Sequence, residues 1–337
     1  MTKIIGFVGA FALASVVCVI AKANVRNAVV MGYEKKPLKA WGPVLMLLAY
    51  IGGFMALAKT ATSDSLIMLA LYFFVPVVAV FTHSLTPFAW EKSNFLALFV
   101  LLALWIPVET RLVLKVVDVG GMKYPYIALS AIIVGLMMLT WKGKRELSLD
   151  WSFPKGSGPK TKFLLSLILP LWIPLQSFWT SRKTIGLAFL LLSAIMIPLG
   201  FLIGFTELGV SKMARETPYL LPLVLVAMWF LPALAEEVIF RAGLQNIFSD
   251  WFGKWAGWLA ASAVFGLAHV NNSIRVGERT IGTPNWLYVC LATIAGLFYG
   301  YVYNKRKAAG SPNALGAAAA LHALVDFVWR LFFMGGR

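Results

Sequence analysis

Three stretches in the last third of this 337-residue chain carry ionisable side chains inside otherwise apolar sequence. They read Leu234-Ala235-Glu236-Glu237-Val238-Ile239-Phe240-Arg241, Phe265-Gly266-Leu267-Ala268-His269 and His322-Ala323-Leu324-Val325-Asp326. A charged side chain at the centre of a membrane span costs about 2.5 to 3.5 kcal/mol on insertion scales, so groups kept there point to function. Carboxylates and imidazoles together can take a proton from water and hold the nucleophile that results, which is general acid–base chemistry. The chain has three histidines, and two of them lie in these stretches.

Spacing divides the roles. Glu237 and Arg241 are four residues apart, share a helix face and can form an ion pair in which each partner offsets the other's desolvation. Glu236 lies about 100° further round, off the face of that pair. A carboxylate in an apolar setting suits a general base, so Glu236 is the expected base and Glu237 its structural neighbour. His322 and Asp326 are also four apart and project together. Residues 250–254 look like a hairpin turn; Glu236 is 14 residues before Asp250 and His269 is 15 after Lys254. At about 1.5 Å per residue, both side chains then lie roughly 21 to 23 Å from the same turn and can meet. His83, in Phe81-Thr82-His83-Ser84, reads as an interfacial or hydrogen-bonded side chain.

The elements that must position these groups are transmembrane helices. The chain is 60% hydrophobic and 13% charged, with a mean hydropathy of +0.80. Lipid offers no backbone partners, so repeated long apolar runs mean helices. Ten spans are expected near residues 4–21, 42–58, 65–82, 94–108, 124–140, 184–205, 219–248, 255–270, 286–303 and 314–333. The fold class is therefore an all-α, polytopic transmembrane bundle. The segment Phe163 to Trp179, with Pro170 and Pro174, is expected to lie on the membrane as one interfacial helix. The first run has the look of an uncleaved signal anchor. Three regions follow: an N-terminal helical region over 1–150 of open role, a polar connection with the interfacial helix over 151–183, and a chemistry-bearing core over 184–337.

The formal charge is +16, but Lys and Arg sit in short connections between apolar runs, not in a basic soluble domain. No nucleic-acid partner is expected. With the N-terminus outside, 18 of these residues fall in inside connections and 10 outside, in line with the positive-inside rule. Lys35, Lys36, Lys39, Lys142, Lys144 and Arg145 read as cytoplasmic anchors. Cys18 and Cys290 each sit in an apolar run and read as small buried hydrophobes, without a disulfide framework.

The three motifs, Glu236-Glu237-x-x-x-Arg241, Phe265-x-x-x-His269 and His322-x-x-x-Asp326, resemble those of the CAAX prenyl protease 2 family, also called the CPBP or Abi family of intramembrane proteases. The resemblance covers roughly residues 184–337. It implies an endopeptidase in which Glu236 and His269 activate a water, while His322 and the residue at Asp326 stabilise the oxyanion or orient the site. Members with Asn at the last position differ from this chain. A carboxylate cannot donate to an oxyanion unless protonated, so Asp326 is expected to orient His322 and fix its tautomer. The implied substrate is a membrane-anchored protein or peptide. The implied location is the plasma membrane of a prokaryote, where multi-span members are common.

Other readings fit the same residues. Glu236, Glu237 and Arg241 can be an ion-pair network that only fixes packing. His269, His322 and Glu236 are plausible zinc ligands, giving a metal-dependent version of the same protease, although no HExxH is present and no cofactor is expected in the main reading. Buried Glu, His and Arg also serve proton-coupled transporters, and a membrane scaffold is a further non-enzymatic alternative.

Overall fold

A computed structural model describes residues 2–35, 41–85, 94–140, 147–154 and 156–335. The basic positions Lys36, Lys39, Lys142, Lys144 and Arg145 and the side chain of His83 lie outside the described residues. The chain divides into two compact units, Met1–Asp150 and Trp151–Arg337.

The first unit contains α1 (Thr2–Ala21), α2 (Ala23–Lys35), α3 (Trp41–Leu57), α4 (Ser63–Leu85), α5 (Asn94–Glu109), α6 (Leu112–Val116) and α7 (Tyr124–Thr140). From Tyr126 to Thr140, α7 is buried almost without interruption, as its all-round apolar sequence requires. Its Tyr126 hydroxyl donates to Gly6 O at 2.9 Å, and a side chain at Gly9 would collide with that hydroxyl. Glycine on α1 thus lets a buried phenol find an acceptor. Lys22 Nζ pairs with Asp150 at 2.9 Å, and buried Arg26 donates to the carbonyls of Ile20, Ala21 and Leu149.

The second unit contains α8 (Pro159–Leu167), α9 (Leu169–Leu202), α10 (Lys212–Glu216), α11 (Pro218–Phe252), α12 (Lys254–Leu267), α13 (Trp286–Ala308) and α14 (Ala314–Phe332). Among the described residues, five helices are long and apolar enough to cross a membrane: α1, α9, α11, α13 and α14. Shorter apolar helices occupy four more of the expected spans: Trp41–Leu57, Ser63–Ala79, Asn94–Glu109 and Tyr124–Thr140. The tenth, α12, has 14 residues, which is about 21 Å and shorter than a hydrocarbon core. Ala317 to Ala320 on α14 are fully buried, so the alanine run packs as its small side chains predict. Cys18 is buried, whereas Cys290 is exposed on α13.

One expectation changes. The segment expected to be one interfacial helix splits at Ile168: its first part is α8, and from Leu169 it is continuous with the 184–205 span in a single 34-residue helix. Pro170 falls in the first turn, where a missing N–H removes no intrahelical bond. The all-α class holds, with one small addition. Residues 274–281 form a hairpin of β1 (Ile274–Val276) and β2 (Arg279–Ile281), with Val276 opposite Arg279 and Gly277 at φ +56° in the turn. Residues 207–209 pair in parallel with Phe333 and Met334, and Gly277 N donates to Met334 O, so three separate segments meet at this end of the unit.

Candidate active site

The acid-bearing helix α11 is irregular where it matters. Its turns widen to i→i+5 geometry over Trp229–Leu234 and again over Val238–Gln245, leaving Ala235–Glu237 as one ordinary α turn between them. Pro232 lies in the first wide turn and lacks the N–H that would close a normal one. Widened turns concentrate at functional sites because they re-aim side chains without ending the helix.

Glu237 and Arg241 are both fully buried, and Arg241 Nε donates to Glu237 Oε2 at 2.9 Å. The guanidinium also lies over the Phe265 ring, 5.2 Å from its centroid, and Nη1 reaches Gln245 Oε1 at 3.5 Å. Room for it comes from Gly296 on α13: a Cβ there would stand 3.3 Å from Arg241 Nη2 and 3.0 Å from the Phe265 ring.

The other oxygen of Glu237 binds the third helix. His322 Nδ1 donates to Glu237 Oε1 at 2.9 Å, so one carboxylate bridges Arg241 and His322. An ionised carboxylate only accepts, which puts hydrogen on Nδ1 and leaves Nε2 as the working nitrogen. Glu236 Oε2 lies 3.8 Å from that Nε2, and Asp326 Oδ1 lies 4.0 Å from it. The tautomer of His322 is therefore held by Glu237, the residue expected only to pair with Arg241. Asp326 instead faces the opposite nitrogen.

Tyr299 of α13 stacks on His322 with centroids 4.4 Å apart and ring planes 15° from parallel, while Phe265 meets it edge-on at 5.6 Å. Neither position of the imidazole ring is left to chance. Tyr299 was not foreseen from the sequence, because one aromatic among many in an apolar helix has no distinguishing spacing.

His269 lies just past the end of α12, in the turn that follows Leu267, and not within a spanning helix as expected. Its N–H donates to Gly266 O at 2.9 Å as the helix tightens and stops. Its Nδ1 is 2.9 Å from the Phe265 carbonyl. A carbonyl only accepts, so Nδ1 carries hydrogen and Nε2 is left as a lone-pair acceptor. The ring packs between Phe265 at 5.0 Å and Tyr288 at 4.6 Å. The expected turn after Asp250 is reduced to a single residue, Gly253 at φ +84°, and α11 and α12 run back from it as a pair.

His269, His322, Asp326, Tyr288, Tyr299 and Phe265 share one cavity of about 80 Å³. A water needs roughly 10 to 15 Å³ of such space and several polar partners, so this cavity has room and ligands for more than one. α9 closes it with Leu192, Met196 and Ile197. Glu236 does not line the cavity; its side chain is 27% exposed and reaches the group through His322 Nε2. The structure thus joins Glu236, Glu237, Arg241, His322 and Asp326 by contacts of 4.0 Å or less, with His269 across the shared cavity.

The zinc alternative can be tested on the donor set. Both Nδ1 atoms are committed, one to a carbonyl and one to a carboxylate. Among the described residues, no three or more His, Cys, Asp or Glu side chains are grouped to hold a metal ion. Holding Nδ1 leaves Nε2 of both rings as the nitrogen a metal would use, which is how metal-ligating histidines are oriented, so the donor chemistry alone does not separate the zinc version from the metal-free one.

Residues 218–328 match the family model described as Rce1-like: type II CAAX prenyl endopeptidase Rce1-like. The matched segment contains all three motifs. No curated protein and no solved structure matched the chain.

Proposed function

From the match of residues 218–328 to the Rce1-like CAAX prenyl endopeptidase model, we propose that this integral membrane protein hydrolyses a peptide bond of a membrane-anchored protein or peptide. Glu236 is the general base and His269 positions the water through its Nε2 lone pair. Water attacks the scissile carbonyl carbon as its proton passes to Glu236, which then returns a proton to the leaving amine. His322, with Nδ1–H held by Glu237, donates from a protonated Nε2 to the developing oxyanion. The Glu236 and Asp326 carboxylates stand 3.8 and 4.0 Å from that Nε2. Glu237 and Arg241 hold the geometry.

The observation that carries this reading is the single cluster made by an acid pair on one helix and imidazoles from two other segments, both fixed through Nδ1. Packing alone would not require two imidazoles to be prepared in the same way.

The test is cleavage of membrane-anchored tailed peptides, prenylated and unprenylated, by detergent-purified protein and by its Glu236→Gln variant. The wild type should cut at least one class, and the variant should lose about 10²- to 10⁴-fold in rate, the usual contribution of a general base. If nothing is cut while Glu236→Gln still supports the protein's cellular role, a transporter or scaffold replaces the protease. Metal content checks the zinc version: one equivalent of zinc in the wild type, lost in His269→Ala, would require revising the base-catalysed scheme. The proposed location is the plasma membrane of a prokaryote.

A further inference from the structure

The two imidazoles of the site stand on different supports. His322 lies within α14, whereas His269 lies beyond Leu267, where the backbone follows turns: His269 N donates to Gly266 O and Val270 N to Leu267 O, at 2.9 and 3.1 Å. A catalytic group on a turn is held less well than one on a helix, so its position has to be fixed by contacts from another element. Those contacts come from Asn285, which is 1% exposed and precedes the first residue of α13.

Asparagine before an apolar run is a helix-capping residue, and Asn285 Oδ1 accepts from Tyr288 N at 3.0 Å. A cap needs only that oxygen. The rest of the residue turns back to the segment after His269: Nδ2 donates to Asn272 O at 2.9 Å, and the backbone N–H donates to Val270 O at 2.7 Å. Asn272 N in turn donates to His269 O at 3.1 Å. A carbonyl only accepts and a peptide N–H only donates, so the Asn285 amide can face only one way. One side chain thus joins the His269 turn to the start of α13, between residues 13 apart in sequence.

The same side chain also places a ring. Tyr288, whose N–H it caps, packs on the His269 imidazole with centroids 4.6 Å apart and is braced by Phe205 at 5.4 Å and Trp329 at 5.7 Å. Asn285 therefore sets both the turn that carries His269 and the tyrosine against which the imidazole rests. Tyr288 and His269 line the cavity; Asn285 does not.

We propose that Asn285 is a positioning residue for the reaction: by tying the His269 turn to α13, it fixes the imidazole that holds the attacking water. The role of His269 rests on the endopeptidase reading. Because Asn285 stands outside the cavity, it acts on the chemical step and not on capture of the peptide.

The experiment uses the full chain in detergent with Asn285→Asp, which keeps the size and the capping oxygen but sets an acceptor where Nδ2 met the Asn272 carbonyl. For a membrane-anchored peptide, kcat should fall about tenfold or more with KM within about threefold, as for a misplaced catalytic group. In protein carrying isotope-labelled histidine, the NMR signals of His269 should pass from one Nδ1–H tautomer to a mixture, while those of His322 stay as they are. Asn285→Ser, which also caps a helix but has no amide to offer Asn272, takes both measurements if the first variant does not fold. Unaltered His269 signals would overturn the proposal whatever kcat does, and leave Asn285 as a helix cap alone. Unchanged kcat in a variant of an active parent would overturn it equally. If the parent cleaves nothing while the variant still alters the His269 signals, the endopeptidase reading fails and the tie from Asn285 to His269 stands.

Discussion

Glu237 is the residue on which the others depend, since it accepts from Arg241 with one oxygen and from His322 with the other. Breaking one side of a fully buried ion pair costs about 3 to 5 kcal/mol, because the remaining charge is left unmatched. Glu237→Gln should therefore lower stability by about that amount, read as a drop in thermal midpoint in detergent, together with loss of the proposed peptidase activity. Tyr299 supports the same imidazole by stacking, which depends on the ring and not on the hydroxyl. Tyr299→Phe should retain activity within about threefold. Tyr299→Leu should lose kcat by tenfold or more, since small misplacements of a catalytic group are costly. Equal kcat for the two variants would remove Tyr299 from the positioning role.

Helix crossings in the second unit depend on glycine where a backbone approaches. At Gly266 a Cβ would lie 2.6 Å from the Val289 carbonyl and would collide with the Thr293 hydroxyl, whereas at Gly282 it meets nothing within 4 Å. Gly266→Ala should cost about 1 to 3 kcal/mol by overpacking. Gly282→Ala should be neutral within experimental error, and matched melting curves would separate them. The helices themselves were legible in the sequence, because every expected span is a stretch of apolar residues bounded by charge or turn signals, and nine of those stretches hold an apolar helix of 16 residues or more. The pairing of Glu237 with Arg241 was legible too, through the i,i+4 rule. What was not legible depends on contacts between distant segments: the bridge from Glu237 to His322, the Tyr299 stack and the bond from Asn285 to Asn272. Two further features have local signals. Ile274-Arg275-Val276-Gly277 followed by Glu278-Arg279-Thr280-Ile281 alternates around a glycine and announces the hairpin. The end of α12 before His269 is foreshadowed by Gly266 and by Asn271-Asn272, residues that suit a helix terminus.

Across the whole molecule, charge sets a direction. α13 begins after the hairpin that carries Arg275 and Arg279 and ends in Lys305, Arg306 and Lys307. Its 23 residues span about 34 Å, enough to separate these groups by a bilayer. The positive-inside count predicts that the triple cluster faces the cytoplasm and the hairpin the outside. With Cys18 and Cys290 replaced by Ser, an impermeant thiol reagent added to intact cells should label Arg279→Cys and spare Lys307→Cys until the cells are opened. The reverse pattern would invert the topology and put the His269 turn on the cytoplasmic side.

A carboxylate that serves two helices at once makes mutational effects non-additive. Once Arg241 has been replaced, a later change at His322 acts on a bridge already broken at one end, and the double variant should fall short of the summed penalties. The site would then tolerate exchange of its three bridged members as a set more readily than one at a time, so libraries that vary Glu237, Arg241 and His322 together should recover working proteins that single-position scans miss.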